Sequence, residues 1–279
     1  MSQSEVAERY VEGGGVRARL LEAGEGPAVL LLHGGALGSS SDVWQCNLVP
    51  LASHGLRAIA VDLPGSGGTD APLELTEAYR RRFVLELLDA LGAERAGLVG
   101  HSSAGGLAMS LGFEHPDRVS RVMILGTHSL LPPLPAGEAA AEESDGERER
   151  LTHEPTIDDV RAVLEEQLFD HSLITPEALQ TRLRMSTRRP RTPQNNRASI
   201  DRQAERQRGV PFWQRLDQIP VPLLMMYGRN DRPSTARRLA LLQERYPLLD
   251  LRIVDRCGHI IQWDAASEFV AAGGAFFKA

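Results

Sequence analysis

Leu98-Val99-Gly100-His101-Ser102-Ser103-Ala104-Gly105-Gly106 is the stretch that decides how this chain is read. A short apolar run ends in a serine, and small residues follow at once. A serine hydroxyl is a weak nucleophile until it is held exposed beside a base. A sharp turn from strand to helix holds it so, and bulky neighbours would clash there. The usual spacing is Gly-x-Ser-x-Gly. Here Ala104 replaces the last glycine, and one methyl group near a helix start is a small demand.

Working outward, apolar runs at 28–33, 56–62, 96–101, 122–127, 222–228 and 251–255 read as strands buried on both faces. Helical patterns lie between many of them. The segment 77–91 spaces Tyr79, Phe83, Leu87 and Leu91 four apart, 107–115 follows the serine turn, and 234–246 and 265–277 close the chain. Strands alternating with helices predict an α/β fold, a mostly parallel sheet with helices on both faces.

The alternation breaks between about 130 and 211. Leu131-Pro132-Pro133-Leu134-Pro135 continues neither strand nor helix. The segment 137–150 is small and charged and reads as a solvated connection. Helices then resume. Thr156 can cap one starting near Ile157, and Thr175-Pro176-Glu177 puts a cap residue before a proline at the first helical position. The expected organisation is a core made of 1–130 and 212–279, with 131–211 inserted as a helical cap.

Composition narrows the function classes. At 279 residues and 42% hydrophobic content the chain can bury a sizeable core. A net charge of −6 argues against general nucleic-acid binding. The opening Met1-Ser2-Gln3-Ser4-Glu5 is polar and leads into no apolar core. No apolar run approaches the roughly 20 residues that span a bilayer. Cys46 and Cys257 make neither a disulfide framework nor a metal site. These features predict a cytoplasmic protein with a small-molecule substrate, and no membrane or nucleic-acid partner.

A nucleophilic serine needs a base, and the base needs an orienting acid. His259, in Arg256-Cys257-Gly258-His259, follows the last predicted strand. Asp231, in Tyr227-Gly228-Arg229-Asn230-Asp231, follows the strand before it. Each of the three has a plain structural reading: a small turn residue for Ser102, a helix cap for Asp231, a surface histidine for His259. Their conjunction outweighs these readings, because all three fall just past the carboxyl ends of strands, where open α/β sheets place their sites. Attack on a carbonyl builds charge on oxygen, and one preset backbone donor is worth roughly 3 kcal/mol there. His33-Gly34-Gly35-Ala36-Leu37-Gly38 lets backbone approach that oxygen, with the amides of Gly35 and Ser103 as the expected donors. His33 reads as a structural hydrogen-bonder.

With these residues placed, the chain resembles the α/β-hydrolase superfamily over nearly its whole length, and within it the meta-cleavage product hydrolases. Phe169-Asp170-His171-Ser172-Leu173-Ile174-Thr175, followed by Glu177, Leu179 and Arg182, is similar to that family's cap signature. Cys257-Gly258-His259-Ile260-Ile261-Gln262-Trp263 resembles its histidine loop, His33-Gly34-Gly35 its oxyanion loop, and Asp62-Leu63-Pro64-Gly65-Ser66-Gly67 the next turn. The resemblance implies cleavage of a carbon–carbon bond in a 2-hydroxy-6-oxo-dienoate, with no metal or organic cofactor and often a dimer or larger homo-oligomer. It also implies that Arg182 grips the oxo/carboxylate end of the substrate, which suits a planar guanidinium. His101, Gly34, Ile260 and Trp263 fall at further pocket positions. His101 stands where the family has asparagine, and Ile260 where it has tryptophan. Both departures suit a carboxylesterase or lactonase using the same triad. A non-catalytic ligand-binding protein that retains the fold is the third reading.

Overall fold

The computed structural model describes residues 5–135, 153–188 and 209–278. The connection expected at 137–150 lies outside them, as does most of 189–211. Among the described residues eight strands form one sheet in the order β1-β2-β4-β3-β5-β6-β7-β8. The strands are β1 (Ala7–Gly13), β2 (Val16–Ala23), β3 (Ala28–Leu32), β4 (Arg57–Val61), β5 (Ala96–His101), β6 (Val119–Leu125), β7 (Leu223–Gly228) and β8 (Asp250–Val254). From β4 to β8 all neighbours pair in parallel. β1 and β2 add an antiparallel edge.

The parallel strands alternate their side chains between two apolar layers, which is why their sequences read as unbroken hydrophobic runs. In β3, Leu30 and Leu32 face one layer with Phe83, Leu87, Leu107 and Leu239. Val29 and Leu31 face the other with Trp44, Leu48, Leu51 and Phe269. Helices α2 (Glu77–Ala90), α3 (Gly105–Glu114) and α6 (Thr235–Arg245) build the first layer; α1 (Gln45–Ala52) and α8 (Ala266–Lys278) build the second. A single turn of helix, α7 (Ile261–Asp264), precedes α8. An extra helical segment, α4 (Ile157–Gln167) and α5 (Pro176–Thr187), stands apart from the alternating pattern. Thr156 and Asp159 cap α4 reciprocally, and Thr175 caps α5 ahead of Pro176.

Three elements lie outside the apolar-run reading. Helix α1 contains Pro50 and was not expected. The hairpin β1–β2 is half-exposed on its outer strand and carries charges on both strands, so it has no apolar run to find. Its signal is the turn: Gly14 and Gly15 join the strands with φ of +63° and +74°, as a tight two-residue hairpin turn needs.

The hairpin also delivers a buried charge. The Arg19 guanidinium donates to Asp42 at 2.7 Å, to Glu8 at 2.7 Å, to Asp62 at 3.3 Å and to Ser41 at 3.1 Å. Burial alone would lower its pKa, but these carboxylates outweigh that and raise it above the ordinary arginine value. Asp62 in turn accepts from the Ser41 and Gly68 amides, so the cluster locks the loops after β3 and β4. Arg19→Met should cost about 3–5 kcal/mol, because it leaves Asp62 and part of Asp42 buried without their cation. Urea unfolding measures this, and a loss under about 1 kcal/mol would show that the loops hold without the cluster.

Candidate active site

The strand order reverses at β3, whose neighbours are β4 and β5. Open α/β sheets bind ligands at such a switch point, beyond the carboxyl ends of the strands. The exits of β3 and β5 carry the glycine loop and Ser102.

Ser102 has φ of +54°, in the left-handed region where a side chain costs roughly 1–2 kcal/mol. That backbone lets β5 run straight into α3 with the serine at the apex. Ser102 Oγ lies 2.9 Å from His259 Nε2, and His259 Nδ1 lies 2.9 Å from Asp231 Oδ2. A carboxylate only accepts, so His259 donates from Nδ1, and its bare Nε2 accepts a hydrogen bond from the serine hydroxyl. Burial would raise the Asp231 pKa, but His259 and His128 outweigh it and hold the carboxyl well below the usual range. The structure thus joins residues from three strand exits, 28 and 157 positions apart in the chain. Asp231 does not cap α6, whose first turn follows Ser234.

The glycine loop lies directly against the serine. A Cβ on Gly34 would sit 3.0 Å from Ser102 Cβ and 3.3 Å from His101 Nδ1, so only glycine fits without displacement. A Cβ on Gly35 would lie 3.1 Å from Ser103 Oγ. His33 accepts from the Leu63 amide at Nε2 (2.9 Å) and so donates from Nδ1 to Gly34 O (2.7 Å). The peptide is planar and trans, so holding the Gly34 carbonyl turns the Gly35 N–H the opposite way. Above this loop lies α5. Arg182 is buried, and its Nε donates to Leu37 O at 3.1 Å. The backbone of Arg182 packs against Gly38. Its positive charge depresses the pKa of both His33 and His101, with burial the larger cause in each case.

The description "alpha/beta hydrolase fold" belongs to a family model that matches residues 27–266. A 2-hydroxy-6-oxo-6-phenylhexa-2,4-dienoate hydrolase of Burkholderia cepacia is 32% identical over 265 residues, covering 91% of this chain and 88% of that one. A 2-hydroxy-6-oxononadienedioate/2-hydroxy-6-oxononatrienedioate hydrolase of Comamonas testosteroni is also 32% identical, over 91% of this chain and 88% of its own. The chain is an α/β hydrolase of the meta-cleavage product hydrolase family. The fold of the 2-hydroxy-6-oxo-6-phenylhexa-2,4-dienoate hydrolase from Rhodococcus sp. strain RHA1 matches it with a TM-score of 0.75 over 99% of both chains, at 23% identity.

In this hydrolase the histidine loop is tied to the extra helical segment. Gln167 O accepts from the His259 and Ile260 amides at 2.7 and 3.3 Å. The Asp264 carboxylate accepts from the amides of Gly258 (2.7 Å), Phe169 (2.9 Å) and Asp170 (3.0 Å). Ile260 is fully buried among the apolar layer. Trp263 points its indole N–H at Val43 O, 2.7 Å away, bolting α7 to the turn before α1.

His101 is 4% exposed and donates from Nε2 to His259 O at 3.0 Å, which leaves Nδ1 as a bare acceptor. Burial and the neighbouring His259 push its pKa down to about 3. The sign follows: between pH 3 and the ordinary value near 6.5, unfolding takes up a proton that the fold refuses. Stability from this group is therefore full above about pH 6.5 and lost as pH falls. Integrating that linkage gives about 2 kcal/mol between pH 7.5 and pH 5. His101→Asn should flatten the pH dependence of urea unfolding by that amount, and an unchanged slope would contradict it.

Sequence reasoning missed His128. Its Nε2 lies 2.7 Å from Asp231 Oδ2, the oxygen that also serves His259. Its signal was its place directly after the predicted strand at 122–127, the same mark that Ser102, Asp231 and His259 carry. Among the described residues, His128, Asp231 and His259 also form a group with metal-capable donor atoms within 4.8 Å of one another. Two of those atoms already hold protons on one carboxylate, which a metal would displace. No helix of the described residues is long and apolar enough to cross a membrane.

Proposed function

We propose that this hydrolase uses Ser102 as nucleophile, His259 as general base and Asp231 as the acid that orients the imidazole. The reading rests on the hydrogen-bonded chain Ser102–His259–Asp231, with the serine at a left-handed turn. His259 Nε2 takes the Ser102 proton as Oγ attacks a carbonyl carbon, then gives it to the leaving group. The Gly35 and Ser103 amides hold the oxyanion. Water then cleaves the acyl-enzyme by the same steps in reverse.

The substrate class we infer is a 2-hydroxy-6-oxo-dienoate or a related ketonic compound. The relatives named above support it, as does an arginine buried over the glycine loop, able to hold a carboxylate with two parallel hydrogen bonds. In that reaction the dienol first becomes a ketone, so that the carbon leaving group departs as a stabilised enolate. Arg182 assists this step, and His259 Nε2 takes the enol hydroxyl proton and passes it to a carbon of the dienoate, which leaves Nε2 bare again for Ser102; His101, Gly34, Ile260 and Trp263 contribute to the pocket or its walls. The segment with α4 and α5 acts as the cap. A carboxylesterase or lactonase is the second reading. It is favoured by His101, whose bare Nδ1 presents an acceptor to the glycine loop.

The two separate in one assay. A synthetic dienoate, followed by loss of its colour, is compared with a panel of p-nitrophenyl esters. The proposal expects kcat/KM for the dienoate to exceed that for the esters by about 100-fold, or roughly 2.7 kcal/mol of transition-state binding. The reverse ratio would end the carbon–carbon reading.

A further inference from the structure

The turn leaving β6, Gly126-Thr127-His128, belongs to no motif read from the sequence, yet it touches all three members of the triad. Thr127 Oγ1 donates to Ser102 O at 2.8 Å. Gly126 has φ of +56°, and a Cβ there would stand 3.1 Å from His259 O and 3.3 Å from His259 Nδ1. His128 Nε2 donates to Asp231 Oδ2 at 2.7 Å. We propose that this turn is a positioning element of the catalytic centre, with His128 the residue that fixes the Asp231 carboxylate. The proposal rests on the serine-triad reading above.

Asp231 can orient His259 only if its Oδ2 stays in place. The side chain of Asp231 is 1% exposed, so bulk solvent does not reach it. Arg232 Nε forms an ion pair with the other oxygen at 4.0 Å. His128 bonds the same oxygen that orients His259, and so restrains it directly. Its own Nδ1 is buried without a hydrogen-bond partner, and burial holds its pKa down although Asp231 pulls the other way. The ring is therefore a neutral donor. That matters because it lies 6.0 Å from His259: a second positive charge there would oppose the imidazolium that forms in the transition state. A neutral N–H adds the hydrogen bond without that repulsion.

The turn is itself braced. Tyr227 Oη of β7 donates to Thr127 O at 2.9 Å. Arg238 of α6 donates to the carbonyls of His128 (2.9 Å), Leu131 (3.1 Å) and Pro132 (2.9 Å). Its contacts run inward to the triad and outward to β7 and α6, as a scaffold requires.

The test compares His128→Leu, His128→Gln and His128→Asn with Ser102→Ala, using whichever of the dienoate and p-nitrophenyl acetate the wild type turns over. Displacement of a catalytic group by about 1 Å costs about 100-fold in rate. His128→Leu should lower kcat about 10- to 100-fold with KM within about twofold. Glutamine can place an N–H where Nε2 stands, so His128→Gln should recover to within about fivefold of wild type; asparagine is too short to reach Asp231 and should stay impaired. A Leu variant within twofold of wild type overturns the proposal, as does Gln no better than Asn. Should the Leu variant not fold, the Gln and Asn pair decides by itself. Undiminished turnover by Ser102→Ala would instead overturn the triad reading, which keeps the two failures apart.

Discussion

Ser102→Ala should lower kcat about a million-fold while leaving the protein folded, since triad members act as a unit and losing the nucleophile removes nearly all their joint effect. What survives is the catalysis that the oxyanion donors and binding provide alone, about 10³–10⁴ over water. Alanine keeps the Cβ, so the left-handed turn remains strained and the Tm should stay within a few degrees of wild type. Ser102→Gly makes the complementary case. It removes the hydroxyl and the strain together, so it should be as inactive as the alanine variant but more stable by about 1 kcal/mol. Turnover by single-exponential loss of substrate, together with thermal unfolding, reads both. Activity within tenfold of wild type in either variant would move the nucleophile elsewhere.

Asp231→Asn should cost about 10⁴ in kcat. The carboxylate takes two N–H donors on one oxygen, from His259 and His128. A neutral amide removes the charge that stabilises the imidazolium. If the amide turns its NH₂ toward His259, the ring must accept at Nδ1 and carry its proton on Nε2. That proton then faces Ser102 Oγ, and the base can no longer take the serine proton. The variant should also respond differently to acid. The folded pKa of Asp231 is depressed by its two histidines against the effect of burial. Its charged interactions therefore stabilise the fold above the unfolded carboxyl value near 4 and fade as pH falls below it. Asp231→Asn lacks that dependence, so its stability should fall less steeply below pH 4. Kinetics at neutral pH and unfolding in acid test the two claims independently. A loss under about tenfold would show that His259 is held by other groups.

Much of the fold was legible because parallel strands covered on both faces must be apolar on both faces. The runs at 28–33 and 96–101 carry that signature, and β3 and β5 lie there. Caps were legible because they are local: Thr156 and Thr175 bond to amides three positions on. Ser102, Asp231 and His259 were legible as candidates because each follows a strand directly, and strand ends meet at one edge of a parallel sheet. The β1–β2 hairpin escaped because Arg19 and Glu22 are buried there, which breaks the apolar pattern; partners far along the chain make that burial possible. His128 follows the predicted strand at 122–127 and so shares the local mark of Ser102, Asp231 and His259, but a triad needs a single base, and only the folded chain shows that a second histidine reaches Asp231.

The amino-acid order by itself determined the parallel strands of the sheet, the serine turn and the candidates at the strand ends, since these follow from periodicity and spacing within a few positions. Only the tertiary structure decided which groups meet. It put two histidines on one carboxylate oxygen, turned the Gly35 amide away from the carbonyl that His33 holds, and fastened the His259 loop to Gln167 and Asp264. Such contacts join side chains and backbone that lie far apart along the chain. Their geometry is set by packing between layers, which no short window of sequence contains.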